Sequence, residues 1–325
     1  SRVYARSINA GASFTIAGGA DVGLHADAHA IEFAPSNPSI VYEGNDGGIW
    51  KSVDGGATWA SLNAGLSLAQ YESVDTHPLD PNFTIGGTQD NGTHWYKPDG
   101  TWYRADYGDG GFAVIDQNAV DNTNVSMYHT YYNSSGALLG FGRVTNVSSA
   151  SDGNWAFFGC GGTPNGIGCS NAVLFYAPLV RGPGNPNTIY YGSDRLYRST
   201  NQGVTMSVVS QGPIVSGIPI SAIAIASQND NVRVVGLQNG QVWATTTGSS
   251  VLANVSGPIP AKYVGRIAVD PTNTDVCYVA LGGFGLGAGQ HVWKTSNLSS
   301  ATPTWTAAGS GLPDAPVNAF VIDPV

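Results

Sequence analysis

Residues 52–59 read SVDGGATW, that is Ser-x-Asp-Gly-Gly-x-Thr-Trp, and the fold is decided by this octapeptide and its weaker copies. The copies stand at 7–14 (SINAGASF), 199–206 (STNQGVTM) and 296–305 (SNLSSATPTW, with an insertion). The composition suits a tight hairpin turn. Asp54 can accept backbone N–H bonds, Gly55 and Gly56 supply positive φ, and Trp59 is expected to pack between neighbouring sheets. A recurring hairpin means a repeat architecture. The turn is read as a folding device, with no catalytic part for Asp54.

The repeat has a measurable period. A turn followed by a strand begins at Pro38 (PSIVYEG), with counterparts at Pro81, Asp121, Pro186, Asp230 and Thr274, spaced 43, 40, 65, 44 and 44 residues apart. A unit of about 40–45 residues with several short strands is the period of a β-propeller blade. In the first full unit the strands are read as 30–34, 40–44 and 48–52, with a fourth beginning at Thr58-Trp59. Val, Thr, Tyr and Trp dominate the periodic runs, and no stretch keeps helical spacing. The expected fold is all-β, a propeller of four-stranded antiparallel blades. Residues 1–325 are expected to form a single domain, with the alternative that they are part of a longer chain. Six units are complete or nearly so. The fragment VYARSINAGASFT (3–15) and the tail VNAFVIDPV (317–325) are expected to share a seventh blade, whose second strand is missing.

Charge is sparse and acidic, with 13 Lys plus Arg against 22 Asp plus Glu. No basic stripe offers itself to nucleic acid or to an anionic membrane surface. No apolar run is long enough to span a bilayer. Lys is rare, Asn, Ser, Thr and Gly are abundant, and sequons occur at Asn82, Asn91, Asn124, Asn133, Asn146, Asn254 and Asn297. These features point to an extracellular or cell-surface protein, although no leader is visible and the chain opens in mid-strand. Cys160 and Cys169 bracket a Gly-rich loop, and the shortage of further metal ligands favours a disulfide over a metal pair. Cys277 reads as a buried free thiol.

The octapeptide is the pattern called an Asp-box. With its flanking sequence HADAHAIEFAPSNPSIVYEGNDGGIWKS, it resembles the Asp-box (BNR-type) propellers of secreted bacterial proteins. That group includes sialidases, xyloglucanase-type glycoside hydrolases, sortilin-like receptors and a photosystem assembly factor. The segments at 25–30, 45–48, 86–93 and 108–111 are similar to those of exported propellers of uncharacterised activity. The resemblance implies the fold more than an activity, because propellers host many functions. Sialidases need three arginines and a Phe-Arg-Ile-Pro segment. That segment is absent, and Arg104, Arg195 and Arg266 form no recognisable triad. Xyloglucanase-type enzymes place two Asp residues between two propellers, and one propeller is read here.

Propeller topology collects a polar constellation on one face, where the chain enters first strands and turns between second and third strands. His25, Asp27 and His29 lead into one first strand, and Asn45 and Asp46 occupy the following turn. Gln70 and Tyr71 open the next unit, Gln89, Asp90 and Asn91 form its turn, and Asp106 and Asp109 lead into the third. Three readings stand side by side. In the first, the residues build turns only. Asp27, Asp46, Asp90 and Asp109 are hard oxygen ligands suited to calcium, while His25 and His29 suit a transition metal. The carboxylates with Tyr71, Trp95, Trp102 and Tyr107 suit a glycan or peptide pocket. The ligand-binding set is therefore His25, Asp27, Asn45, Asp46, Gln89, Asp90, Asp109, Tyr71 and Trp95. Asp46 with Asp109, or Asp90 with Asp109, are candidate pairs for glycoside hydrolysis. His94, His129 and His291 look isolated. The expectation is a binding or assembly module for glycan or protein ligands, rather than an enzyme. A carboxylate-pair glycoside hydrolase and a self-assembling structural subunit are the alternatives.

Overall fold

Short runs of β-branched and aromatic residues, broken by Gly, Pro, Asn and Asp, favour brief strands joined by tight turns. A computed structural model describes residues 5–16, 24–66, 69–132 and 138–323, and it contains 26 strands and a 3-10 turn at Val147–Ser149. The chain divides into two compact units, Ser1–Gln70 and Tyr71–Val325.

The first unit holds a two-stranded hairpin, β1 (Ala5–Arg6) with β2 (Thr15–Ile16). It also holds a four-stranded antiparallel sheet of β3 (Ala28–Ala34), β4 (Asn37–Asn45), β5 (Gly48–Ser52) and β6 (Ala60–Ser61). The expected third strand forms where it was placed, but the fourth starts at Ala60 rather than Thr58. The reason lies in the octapeptide. Asp54 accepts the Thr58 N–H at 2.9 Å and the Thr58 hydroxyl at 2.7 Å, which ties Thr58 into the turn. Ser52 accepts the Gly56 N–H at 2.7 Å, and Gly55 and Gly56 take φ of 67° and 90°.

The second unit holds five four-stranded sheets, each an antiparallel meander in chain order. The first comprises β7 (Tyr71–Thr76), β8 (Thr84–Thr88), β9 (Gly92–Tyr96) and β10 (Trp102–Asp106). The next comprises β11 (Ala113–Ile115), β12 (Met127–His129), β13 (Gly140–Val144) and β14 (Ala156–Gly159). Then follow β15 (Leu179–Arg181), β16 (Ile189–Gly192), β17 (Leu196–Ser199) and β18 (Ser207–Val208). The fourth comprises β19 (Ile220–Ala226), β20 (Asn229–Leu237), β21 (Val242–Thr245) and β22 (Ala253–Asn254). The last comprises β23 (Val264–Val269), β24 (Cys277–Leu281), β25 (Val292–Thr295) and β26 (Thr306–Ala307).

Alternate residues of a strand face opposite sides, so an inner sheet buries both faces. Met127 packs with Ile85 and Phe83 of the preceding sheet, whereas Tyr128 packs with Leu179 and Tyr191 of the following one. Tyr190 and Tyr191 divide in the same way, as do Val234 and Val235. The first strands are neighbours in series, β7 beside β11, β11 beside β15, β15 beside β19 and β19 beside β23. The fold is thus an all-β propeller with antiparallel four-stranded blades.

The octapeptide turn recurs with the same bonding. Ser7 and Ser199 accept the N–H groups of Gly11 and Gly203 at 2.8 and 2.9 Å, and Asn9 and Asn201 replace the Asp. The last copy begins one residue earlier than its sequence suggests, at Thr295, because the Thr295 hydroxyl and the Thr304 N–H both reach Asn297 at 2.9 Å. A further copy at Thr245 carries neither Asp nor Trp, yet Thr245 accepts the Ser249 N–H at 3.2 Å. The Cys160–Cys169 disulfide is formed, and Cys277 is a fully buried thiol.

Among the described residues of the C-terminal tail, 317–323, the expected strand is not formed. Val317 donates to the Leu281 carbonyl at 3.1 Å, as Gly110 donates to Thr88 at 2.9 Å where the third sheet begins. No ladder is assigned over 317–323, and a strand exists only through such pairing. Residues 324 and 325, and Val3 and Tyr4 of the opening fragment, lie outside the described residues, as does the sequon Asn133.

Candidate functional site

The expected constellation is divided between the two units. In the first, Asn45 is buried and works as a turn organiser. Its side-chain oxygen accepts the Gly47 N–H at 2.9 Å and the Trp50 indole N–H at 3.2 Å, and its amide donates to Glu43 at 2.7 Å. Burial raises the Glu43 pKa, against the opposing bond from Asn45. His25 packs so closely on Gly47 that a Cβ there would lie 2.5 Å from the ring. Asp27 holds a left-handed φ of 61°, and Asp46 bonds to the exposed His29.

In the second unit, consecutive strands alternate direction. The segments entering first strands therefore lie at the same end as the turns between second and third strands. Gln89, Asp90 and Asn91 form such a turn, with the Asn91 N–H on the Gln89 carbonyl at 2.8 Å and Asp90 at a φ of 62°. Asp109, entering β11, accepts the Asp90 N–H at 3.1 Å. Tyr176, entering β15, donates its hydroxyl to the same Asp109 oxygen at 3.4 Å. Burial, then the charges of Asp109, Glu72 and Asp90, push the Tyr176 hydroxyl to a higher pKa. Three carboxylates thus act on one tyrosine. Burial, and after it the charge of Glu72, raises the hydroxyl of Tyr263, which stands just before β23.

Aromatic rings continue from this group. Tyr132 stacks on Phe175 at 5.5 Å, and Phe175 meets Tyr176 edge-on at 4.8 Å. Phe175 is 49% exposed. Tyr71 bonds His94 at 3.3 Å and lies 5.7 Å from Trp102. A Cβ on Gly86 would sit 2.6 Å from the Tyr71 ring, so the glycine makes its seat. Burial lowers the His94 pKa.

Two expected residues take other places. Trp95 is a core residue, 8% exposed and 5.2 Å from Phe83, because its alternate position on β9 turns it towards the next sheet. Asp106 is fully buried, bonded to His129 at 3.1 Å and to the Tyr131 hydroxyl. His129 reaches Thr93 at 3.0 Å through its other nitrogen. This Thr–His–Asp series has the partners of a nucleophile relay, but all three are sealed from solvent, so it can only tie the sheets together. The histidines that looked isolated are therefore engaged, including His291, which bonds Asp314 at 2.8 Å. Asp314 also accepts the N–H groups of Gly285 and Leu286 and anchors the 282–290 insertion.

Sequence reading missed Glu72, Tyr176 and Tyr263. The available signal was position, since each stands at or just before the start of a first strand, as Asp109 does. Among metal-capable groups, Asp90 and Asp109 offer oxygen ligands in the second unit, and Asp27 and Asp46 in the first.

No family model matches the chain, and no curated protein matches it. Solved structures do. A GH74 enzyme from Niastella koreensis matches at 16% identity and a TM-score of 0.52, over 86% of this chain and 47% of that one. The GH74 xyloglucanase from Xanthomonas campestris matches at 14% identity and 0.53, over 93% and 50%. YCF48 from Cyanidioschyzon merolae matches at 13% identity and 0.50, over 90% and 89%. This chain spans about half the length of the two GH74 structures. At these identities the likeness is one of fold, and the fold is that of β-propeller proteins.

Proposed function

We propose that this chain is an exported binding module that captures a glycan on the loop face of its 71–325 unit. The observation that carries the reading is Asp109, which accepts both the Asp90 N–H and the Tyr176 hydroxyl, beside the ring series Tyr132, Phe175 and Tyr176. Carboxylates accept hydrogen bonds from sugar hydroxyls, and ring faces cover the apolar side of a pyranose. The disulfide supports an oxidising, extracellular setting. Calcium belongs to the same proposal as an accessory cation on Asp90 and Asp109, and Asp27 and Asp46 are carboxylates of the same type within the first unit taken by itself.

The test is a glycan array followed by affinity electrophoresis, with and without calcium, on wild type, Asp109→Asn and Tyr176→Phe. Losing a hydrogen bond to a charged group costs about 1.5–3 kcal/mol, so Asp109→Asn is expected to weaken binding roughly ten- to a hundredfold. Binding unchanged in both variants overturns the site. Silence across the array overturns the glycan and leaves a protein ligand. Release of reducing ends from a bound polysaccharide would show hydrolysis in place of simple capture.

A further inference from the structure

In the 71–325 unit, six aspartates stand against an arginine or a histidine: Asp75, Asp106, Asp152, Asp194, Asp230 and Asp314. Others, such as Asp99, Asp121 and Asp270, commit their carboxylates to the backbone and hydroxyls of their own turns. Asp109 does neither. It is half-buried, and both of its bonds fall on one oxygen, Oδ1, from the Asp90 N–H at 3.1 Å and the Tyr176 hydroxyl at 3.4 Å. Its Oδ2 accepts no hydrogen bond among the described residues. No cation stands in for that bond. The segments 86–93, 108–111, 130–132 and 173–177 around it contain neither Lys nor Arg, and they bring a second carboxylate, Asp90.

Rings stand beside this carboxylate. Tyr132 and Tyr176 form an isolated antiparallel bridge. A Cβ on Gly111 would lie 2.7 Å from the Tyr176 ring, so the glycine seats it. Tyr176 links Asp109, through its hydroxyl, to Phe175, whose ring centroid lies 4.8 Å from its own. Phe175 stacks on Tyr132 and remains half-exposed. An aromatic face and a carboxylate with an unused oxygen therefore stand one tyrosine apart.

The ring takes the C–H side of a pyranose. The unused oxygen takes a donor, and the bond is short and strong where the groups are ionised. A ring face attracts a cation as well. The net charge of −9 adds a field of the same sign. We infer that the glycan taken on this face is an amino sugar, with its C–H side on Phe175 and its protonated amino group on Asp109. This rests on the loop-face reading proposed above and narrows it to cationic glycans.

The experiment is isothermal titration calorimetry of the full chain with a glucosamine tetramer and with the same tetramer fully N-acetylated, which differ only in the charged amine. It is run near about pH 5.5, where carboxylates are ionised, with a chelator present so that calcium cannot take Asp109. The free amine should bind at least about tenfold more tightly, the scale of one hydrogen bond to a charged group. Asp109→Asn should abolish that preference, while Phe175→Ala should weaken both sugars alike. High salt should shrink the preference in the wild type, a readout that needs no variant to fold. Equal affinity for the two tetramers, or a preference kept in Asp109→Asn or at high salt, overturns the amino sugar and leaves the glycan reading standing. A lysine tetramer that binds as tightly as the amino sugar also overturns it, since charge alone would then suffice. Failure of both sugars, with the glycan array silent as well, removes the glycan reading and this inference together.

Discussion

Removing the Cys160–Cys169 disulfide, by the double substitution Cys160→Ala and Cys169→Ala, should lower the melting temperature by an amount set by its loop. The bridge spans a sequence separation of nine, and a closed loop of about ten residues restricts the unfolded chain by roughly 2.7 kcal/mol at 25 °C. Unfolding entropy near 60 °C is about 2.1 cal/mol/K per residue, so this chain of 325 residues should shift by about 4 °C. Cys160 is buried and Cys277 stays untouched as an internal control. Differential scanning calorimetry of wild type, reduced wild type and the double variant makes the comparison. Reduced protein and variant should melt within about 1–2 °C of each other if loop closure is the main effect. A shift below about 1 °C in both would refute the reasoning. It would mean that the loop is held in the unfolded chain, or that the local contacts carry it without the bridge.

Gly203 sits at a φ of 81°, and a Cβ there would lie 2.5 Å from the buried ring of Phe141. Gly203→Ala should therefore cost about 1–3 kcal/mol from overpacking, read as a lower urea midpoint, and an unchanged midpoint would contradict the packing. Asp106 tests acid stability. Burial alone would raise its pKa, but the bond and charge of His129 and the bonds of Tyr131 and Gly153 hold it below its ordinary value. A depressed folded pKa contributes stability above the unfolded value, near pH 4, and loses it as pH falls through the folded value. Urea midpoints at about pH 6 and pH 3 should fall more in the wild type than in Asp106→Asn, and parallel falls would contradict the assignment.

Legibility followed the range of the interactions. The octapeptide turn was readable because Ser52, Asp54, Gly56 and Thr58 satisfy one another within a few residues. The copy at Thr245 escaped notice because Thr245 keeps the hydroxyl acceptor while the Asp and Trp of the pattern are gone. Asp90 and Asp109 were placed at one end by topology alone, and they do meet. Tyr176 and Glu72 were not found, because their convergence joins sheets rather than turns. Trp95 misled for a related reason. When both faces of a strand are buried, alternation distinguishes one core from the next but not core from rim. His129 looked isolated because its partners stand 23 and 36 residues away.

The most direct test of the central claim is a crystal structure of the chain with calcium and an oligosaccharide that the array identifies. The account predicts ligand density against Asp109, Asp90, Glu72 and Tyr176, with a sugar face on Phe175. A ligand seated among the octapeptide turns at the opposite ends of the sheets, with these side chains bonded only to one another and to backbone, would contradict it.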